Sequence, residues 1–120
     1  MRRTHHELRA WQRSIELVKE VYRLTTSFPS SENFGLIAQM RRCAVSIPSN
    51  IAEGAARNSK KEFLHFLGIA RGSLSELETQ FIIAGELGYV NAARSLQPIL
   101  DEAFGLIGGL INSLKRAQSE

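Results

Sequence analysis

Along four stretches of the chain, apolar residues recur every three or four positions between turn and capping residues. That spacing marks amphipathic helices. In the first stretch Leu8, Trp11, Ile15, Val18 and Tyr22 form a stripe that Leu17, Val21 and Leu24 broaden, predicting a helix over about residues 7–27. Pro29 closes it, because the residue before a proline is driven out of the helical region. Ser30, Ser31 or Asn33 then offers a cap for a second helix over about 33–56, with Ile37, Met40, Ala44, Ile47 and Ile51 facing inward. Pro48 removes the amide that would bond the Ala44 carbonyl, yet the apolar phase continues through Ile51, Ala52 and Ala55. The pattern therefore predicts a helix kinked at Pro48, or two pieces joined near Ser49 or Asn50.

Asn58 or Ser59 caps a third helix over about 59–87. Its stripe of Phe63, Leu67, Ala70, Leu74, Leu77, Phe81 and Ala84 keeps strict four–three spacing, as a left-handed bundle needs. Phe66, Ile69 and Ile83 belong to a second apolar face, and Gly68 and Gly72, one turn apart, would let another helix approach closely. Gly88 ends this helix. Asn91 or Ser95 opens the fourth, over about 92–117, with Leu96, Leu100, Ala103, Ile107, Leu110 and Leu114 inward and Ile99, Phe104, Leu106 and Ile111 beyond that stripe. Pro98 suits a first helical turn, where its missing amide has no internal partner. Four helices with short connections predict one all-α domain over residues 1–120, an antiparallel up-down-up-down four-helix bundle. The extra apolar faces of the third and fourth helices exceed what so small a bundle buries within itself, so they predict a homo-oligomer.

Composition changes this picture little. At 43% hydrophobic and 22% charged, the chain is unlike a disordered one. Its single cysteine, Cys43, has no internal partner for a disulfide. The basic start MRRTHHELRAW does not read as a signal peptide, and charged or amide residues interrupt every apolar stretch before it could span a membrane. A cytoplasmic protein with no membrane partner is the expectation. The net charge of +3 is mild but uneven: residues 1–60 carry ten Lys/Arg against five Glu, and residues 61–120 carry five against seven acidic groups. The cationic half is the first.

Candidate chemistry is sparse. Glu62 and His65 have the Glu-x-x-His spacing of a carboxylate metal bundle, but no second pair completes the site. His5, His6 and Glu7 are adjacent and diverge on a helix. Arg41 and Arg42 are placed to lower the pKa of Cys43, which has no histidine to act as its base. There is no phosphate-binding glycine loop. The sequence thus predicts no catalytic residue, no metal, no cofactor and no enzyme activity.

Two charged sets remain. Arg2, Arg3, Arg57, Lys60 and Lys61 should meet at one end of an antiparallel bundle, where they form a candidate phosphate-contacting surface for RNA or DNA. No aromatic stacking set accompanies them in the sequence. Arg42, Asn50, Glu53, Arg71 and Glu78 border the inner stripes of the second and third helices. They are a candidate polar network that fixes helix register.

Residues 11–89, and above all FGLIAQMRRCAVSIPSNIAEG (34–54) and EFLHFLGIARGSLSELETQ (62–80), resemble the bacterial four helix bundle protein family. It is also called the 23S rRNA intervening-sequence protein family. The resemblance implies a four-helix bundle assembled as a homopentamer, similar in fold to the accessory protein of diversity-generating retroelements. That protein uses basic surface to contact nucleic acid and a reverse transcriptase. Pro48, Asn50, Glu53 and Gly54 match the first family segment, and Arg71, Glu76 and Glu78 match the second. The resemblance implies no catalytic duty for them. The function expected is a non-enzymatic homo-oligomeric scaffold or adaptor that contacts nucleic acid or a nucleic-acid-processing partner. The alternative is an assembly module whose partners are proteins alone.

Overall fold

Local signals for starting and stopping helices divide the chain into α1 (Arg9–Thr25), α2 (Leu36–Ala55), α3 (Lys60–Glu86) and α4 (Gln97–Ser119) in the computed structural model, which describes residues 3–91 and 95–119. Short 3-10 turns at Thr4–Glu7 and Ser30–Glu32 precede α1 and α2. The Ser59 hydroxyl accepts the Glu62 amide at 3.1 Å and caps α3. At the other end of α3, Gly88 adopts φ +81°, so that Tyr89 N bonds Ala84 O at 2.9 Å and Gly88 N bonds Gly85 O at 3.0 Å. This left-handed closure satisfies the last carbonyls and favours glycine.

The start of α2 departs from expectation. Its cap position is Gly35, and the Leu36 amide bonds Glu32 Oε1 at 3.0 Å, so neither serine nor Asn33 does this work. The fourth helix begins at Gln97 rather than near 92. Residues 92–94 of the expected start lie outside the described residues. Ser95 Oγ accepts the Gln97 amide at 3.1 Å, and Pro98 occupies the first turn, as its chemistry requires. The second helix runs through Pro48 as one element, so the two-piece alternative does not occur.

Each helix packs beside its chain neighbours, and α4 returns against α1, as an up-down-up-down four-helix bundle requires. The core follows the predicted stripes on α2 and α3: Met40, Ala44, Ile47, Ile51, Leu67, Ala70, Leu74 and Leu77 are fully buried. On α1 the assignment moves. The buried line is Ala10, Ser14, Leu17, Val21 and Leu24, while Trp11, Ile15 and Val18 lie on its flank and Tyr22 is 42% exposed. Ser14 interrupts the apolar pattern, but it is small and donates its hydroxyl to Ala10 O at 2.6 Å, so burial leaves nothing unpaired.

Close helix approach occurs at Gly54, where an added Cβ would stand 2.8 Å from Phe66 Cβ and 3.0 Å from Phe63 Cδ1. Gly68 and Gly72, expected to serve that purpose, face open space within the chain. Arg41 locks α1 to α2. Its Nε donates to Thr25 Oγ1 at 2.9 Å, and its guanidinium lies 4.6 Å from the Tyr22 ring centroid at the carbonyl end of α1.

Candidate nucleic-acid interface

The antiparallel path sets the N-terminal turn beside the connection between α2 and α3. Arg3, Thr4 and His5 line a hollow of about 250 Å³ with Ala55 and Ala56. Arg57 follows directly, and Lys60 and Lys61 open α3. All four described cations of the predicted basic end, Arg3, Arg57, Lys60 and Lys61, are exposed. Arg2 lies outside the described residues. Arg57 is also engaged locally: Nη2 is 3.4 Å from Glu53 Oε2, and the guanidinium lies 5.0 Å from the Phe66 ring centroid.

The sequence has His5, His6 and Trp11 close to Arg3 without showing whether they meet, and the fold brings the three rings together. His5 and His6 each stand 5.1 Å from Trp11, with centroids 4.4 Å from one another. The cause is local. Leu8 is extended (φ −77°, ψ 125°), which turns Thr4–Glu7 back along α1 instead of continuing it. Gln12 Nε2 pins the turn by donating to His6 O at 2.7 Å, and the Arg3 amide donates to His6 Nδ1 at 2.9 Å. Burial, with smaller contributions from His6 and Arg3, holds the His5 pKa below the usual histidine value, so the ring is neutral at pH 7. Beyond His5 the cluster continues into an apolar hollow of about 340 Å³ between α1 and α2, bordered by Trp11, Ile15, Val45 and Pro48.

The residues of the proposed polar network take other partners within the chain. Asn50 Nδ2 donates to Ser46 O at 2.7 Å, Glu53 meets Arg57, and Glu78 accepts from Gln97 Nε2 at 2.8 Å. Arg42 and Arg71 are exposed, and among the described residues no ion pair joins either to Glu53 or Glu78. Arg42 lines a polar groove of about 430 Å³ between α2 and α3 with Cys43, Glu76 and Gln80. Gln80 Oε1 is buried there without a hydrogen-bond partner.

Cys43 differs from the sequence expectation. Its thiol donates to Ser73 O at 3.0 Å, and its pKa is pushed up to about 12, first by burial and then by the Glu76 carboxylate. The neighbouring arginines do not activate it. Glu62 and His65 are both exposed, and among the described residues no group of three or more His, Cys, Asp or Glu is arranged to hold a metal. Among the same residues no helix is long and apolar enough to cross a membrane. Ile69, Ile82 and Ile83 on α3, and Leu87 at its end, are exposed.

The family described as 23S rRNA-intervening sequence protein matches residues 6–109, which takes in all of α1, α2 and α3 and the first half of α4. The chain belongs to that family. Among curated proteins none matches it. The match includes His6, Trp11, Arg57, Lys60 and Lys61, whereas Arg3 and His5 lie before it.

Proposed function

We propose that this family member is a non-enzymatic homo-oligomeric scaffold that contacts nucleic acid, or a nucleic-acid-processing partner, through the basic end formed by Arg2, Arg3, Arg57, Lys60 and Lys61. The observation that supports this reading is the hollow that Arg3, Thr4 and His5 of the N-terminal turn share with Ala55 and Ala56, just ahead of Arg57, Lys60 and Lys61 in the chain. Several copies in a ring, a pentamer by family resemblance, would sum their fields and bind phosphate multivalently. The exposed apolar residues Ile69 and Ile83 of α3, with Leu87 at its end, support self-association. Arg42 and Arg71 are then available to Glu53 or Glu78 of a neighbouring copy, which would give the polar network its register-fixing role between subunits. A likeness in fold to the retroelement accessory protein, which the sequence resemblance implies, would favour the same kind of adaptor role, in the cytoplasm.

The test is titration of the purified protein against labelled structured RNA and single- and double-stranded DNA at several salt concentrations, with its mass measured in solution. Binding that weakens steeply with salt, by a mass of several chains, is the expected result. No binding at low salt would leave an assembly module whose partners are proteins, a reading favoured by the exposed Ile82 and Leu87.

A further inference from the structure

We propose that the N-terminal turn Thr4–Glu7 is a pH-operated strap: it lies docked across α1 and α2 while His5 and His6 are neutral, and swings out about Leu8 when they take up protons. This inference goes beyond the reading of the basic end and does not depend on it. The turn packs against both helices. Among the contacts that hold it, two need uncharged imidazoles. The Arg3 amide donates to His6 Nδ1 at 2.9 Å, so that nitrogen must keep its lone pair, whereas both ring nitrogens of an imidazolium are donors. The two rings also stand 4.4 Å apart, each 5.1 Å from Trp11, and two positive charges at that distance repel. A further contact, from Gln12 Nε2 to His6 O at 2.7 Å, is indifferent to pH.

The helices beneath the turn bring no charge to offset these protons. The α1 and α2 residues that border the two hollows beside His5, among them Trp11, Val45, Pro48 and Ala55, carry no titratable side chain. Burial, then the charges of His6 and Arg3 on the same turn, keep the His5 pKa below the ordinary histidine value. Glu7 on the turn and Arg9 at the start of α1 are exposed, where solvent and salt screen them. One imidazolium alone could stay against the Trp11 ring as a cation–π contact. The second charge, with Arg3 close by, is what the docked turn does not hold. On the released turn His5 takes up its proton near the ordinary value, about 6.5, and on the docked turn only at lower pH. Docking is therefore complete above neutrality and weakens as pH falls below that ordinary value. Release bares the Trp11 ring and one wall of the apolar hollow, so access to this face of α1 and α2 becomes a function of pH.

Trp11 is the only tryptophan in the chain, so its emission reports on the strap directly. The experiment follows Trp11 emission of the full chain, and its quenching by the neutral probe acrylamide, from about pH 8 to about pH 5, with far-ultraviolet circular dichroism as the check on the helices. Acrylamide access should rise in a transition steeper than a single protonation while helicity stays constant. His5→Phe combined with His6→Asn keeps a ring beside Trp11 and an acceptor for the Arg3 amide but takes up no proton. This double variant should lose the transition. Gln12→Ala removes the pH-indifferent pin at an exposed position and should move the midpoint to higher pH. Emission that changes with no gain in acrylamide access would mean that the protonated rings quench Trp11 in place, and it would overturn the strap. A flat wild-type profile, a transition that persists in the double variant, or one that coincides with loss of helicity would overturn it as well.

Discussion

The Tyr89 hydroxyl donates to Glu32 Oε2 at 3.0 Å, joining the α1–α2 and α3–α4 connections across 57 residues of sequence. The same carboxylate accepts the Leu36 amide through Oε1, so one side chain caps α2 and latches the opposite connection over Phe28. Glu32→Ala should therefore destabilise the fold by at least the value of the cap, about 0.5–2 kcal/mol, in chemical denaturation. Tyr89→Phe keeps the ring packing against Phe28 and removes only the latch. The Glu32 hydrogen bond, with burial and the carboxylate charge, raises the Tyr89 pKa. A raised folded-state pKa means that the contribution is complete below the ordinary tyrosine value, about 10, and is lost as pH rises through the folded one. Melting curves of wild type and Tyr89→Phe should thus converge at strongly alkaline pH. A gap that persists there would show that the hydroxyl acts by some other route.

Gly54 and Gly72 should respond oppositely to the same added methyl group. Gly54→Ala drives a Cβ into Phe66 Cβ at 2.8 Å, and overpacking of this kind costs about 1–3 kcal/mol. Improved helix propensity returns at most about 1 kcal/mol. Gly72→Ala meets nothing within 4 Å and should be neutral or stabilising by up to about 1 kcal/mol. Urea unfolding of both variants reads the contrast. A large loss at Gly72 would instead place another copy against that face of α3.

Cys43 should be a slow thiol. With its pKa near 12, very little thiolate is present at neutral pH, and the sulfur is buried. An aromatic disulfide reagent should modify the native protein far more slowly than the denatured chain. The linkage carries a sign as well. The unfolded thiol loses its proton at a lower pH than the folded one, so this group's stabilisation is complete below about pH 8.5 and declines above it. Rapid native labelling at pH 7 would contradict the assignment of Cys43 as an inert packing group.

Lys60→Glu and Lys61→Glu alter exposed side chains at the start of α3, so stability should change by no more than about 0.5 kcal/mol. Their effect should fall on nucleic-acid affinity, with the salt dependence shallower by about one in slope for each phosphate no longer neutralised. Unchanged affinity and slope in both would move the phosphate surface elsewhere.

Arg71→Glu tests the polar network as an assembly device. The residue is exposed, and nothing in the single chain depends on its charge for packing. Reversal should lower the mass of the assembly in solution or its melting temperature. If both stay at their wild-type values, Arg71 has no such role.

What the sequence determined by itself was the set of helices and the inner faces of α2 and α3. Helical periodicity, the Ser59 start signal and the Gly88 stop signal act over a few residues, so they are written locally. The Ile37–Ile51 and Leu67–Ala84 stripes could be read for that reason, and antiparallel order alone led to the expectation that the N-terminus lies beside the α2–α3 connection. Tertiary structure decided the rest. The inner face of α1 includes Ser14, whose burial depends on a backbone carbonyl that hydropathy does not register. The cap of α2 is a glutamate held from the far connection by Tyr89, a pairing that no local motif encodes. Arg41 reads as surface charge, but it is committed to Thr25 and Tyr22. The His5–His6–Trp11 cluster exists because one extended residue, Leu8, reverses the N-terminal turn. Cys43 is quiet because burial and Glu76 outweigh the adjacent arginines. The partners of Arg41, Cys43 and Tyr89 are distant in sequence and come into range only when the helices pack, whereas Ser14 and the His5–His6–Trp11 cluster are decided by local backbone geometry that hydropathy does not register.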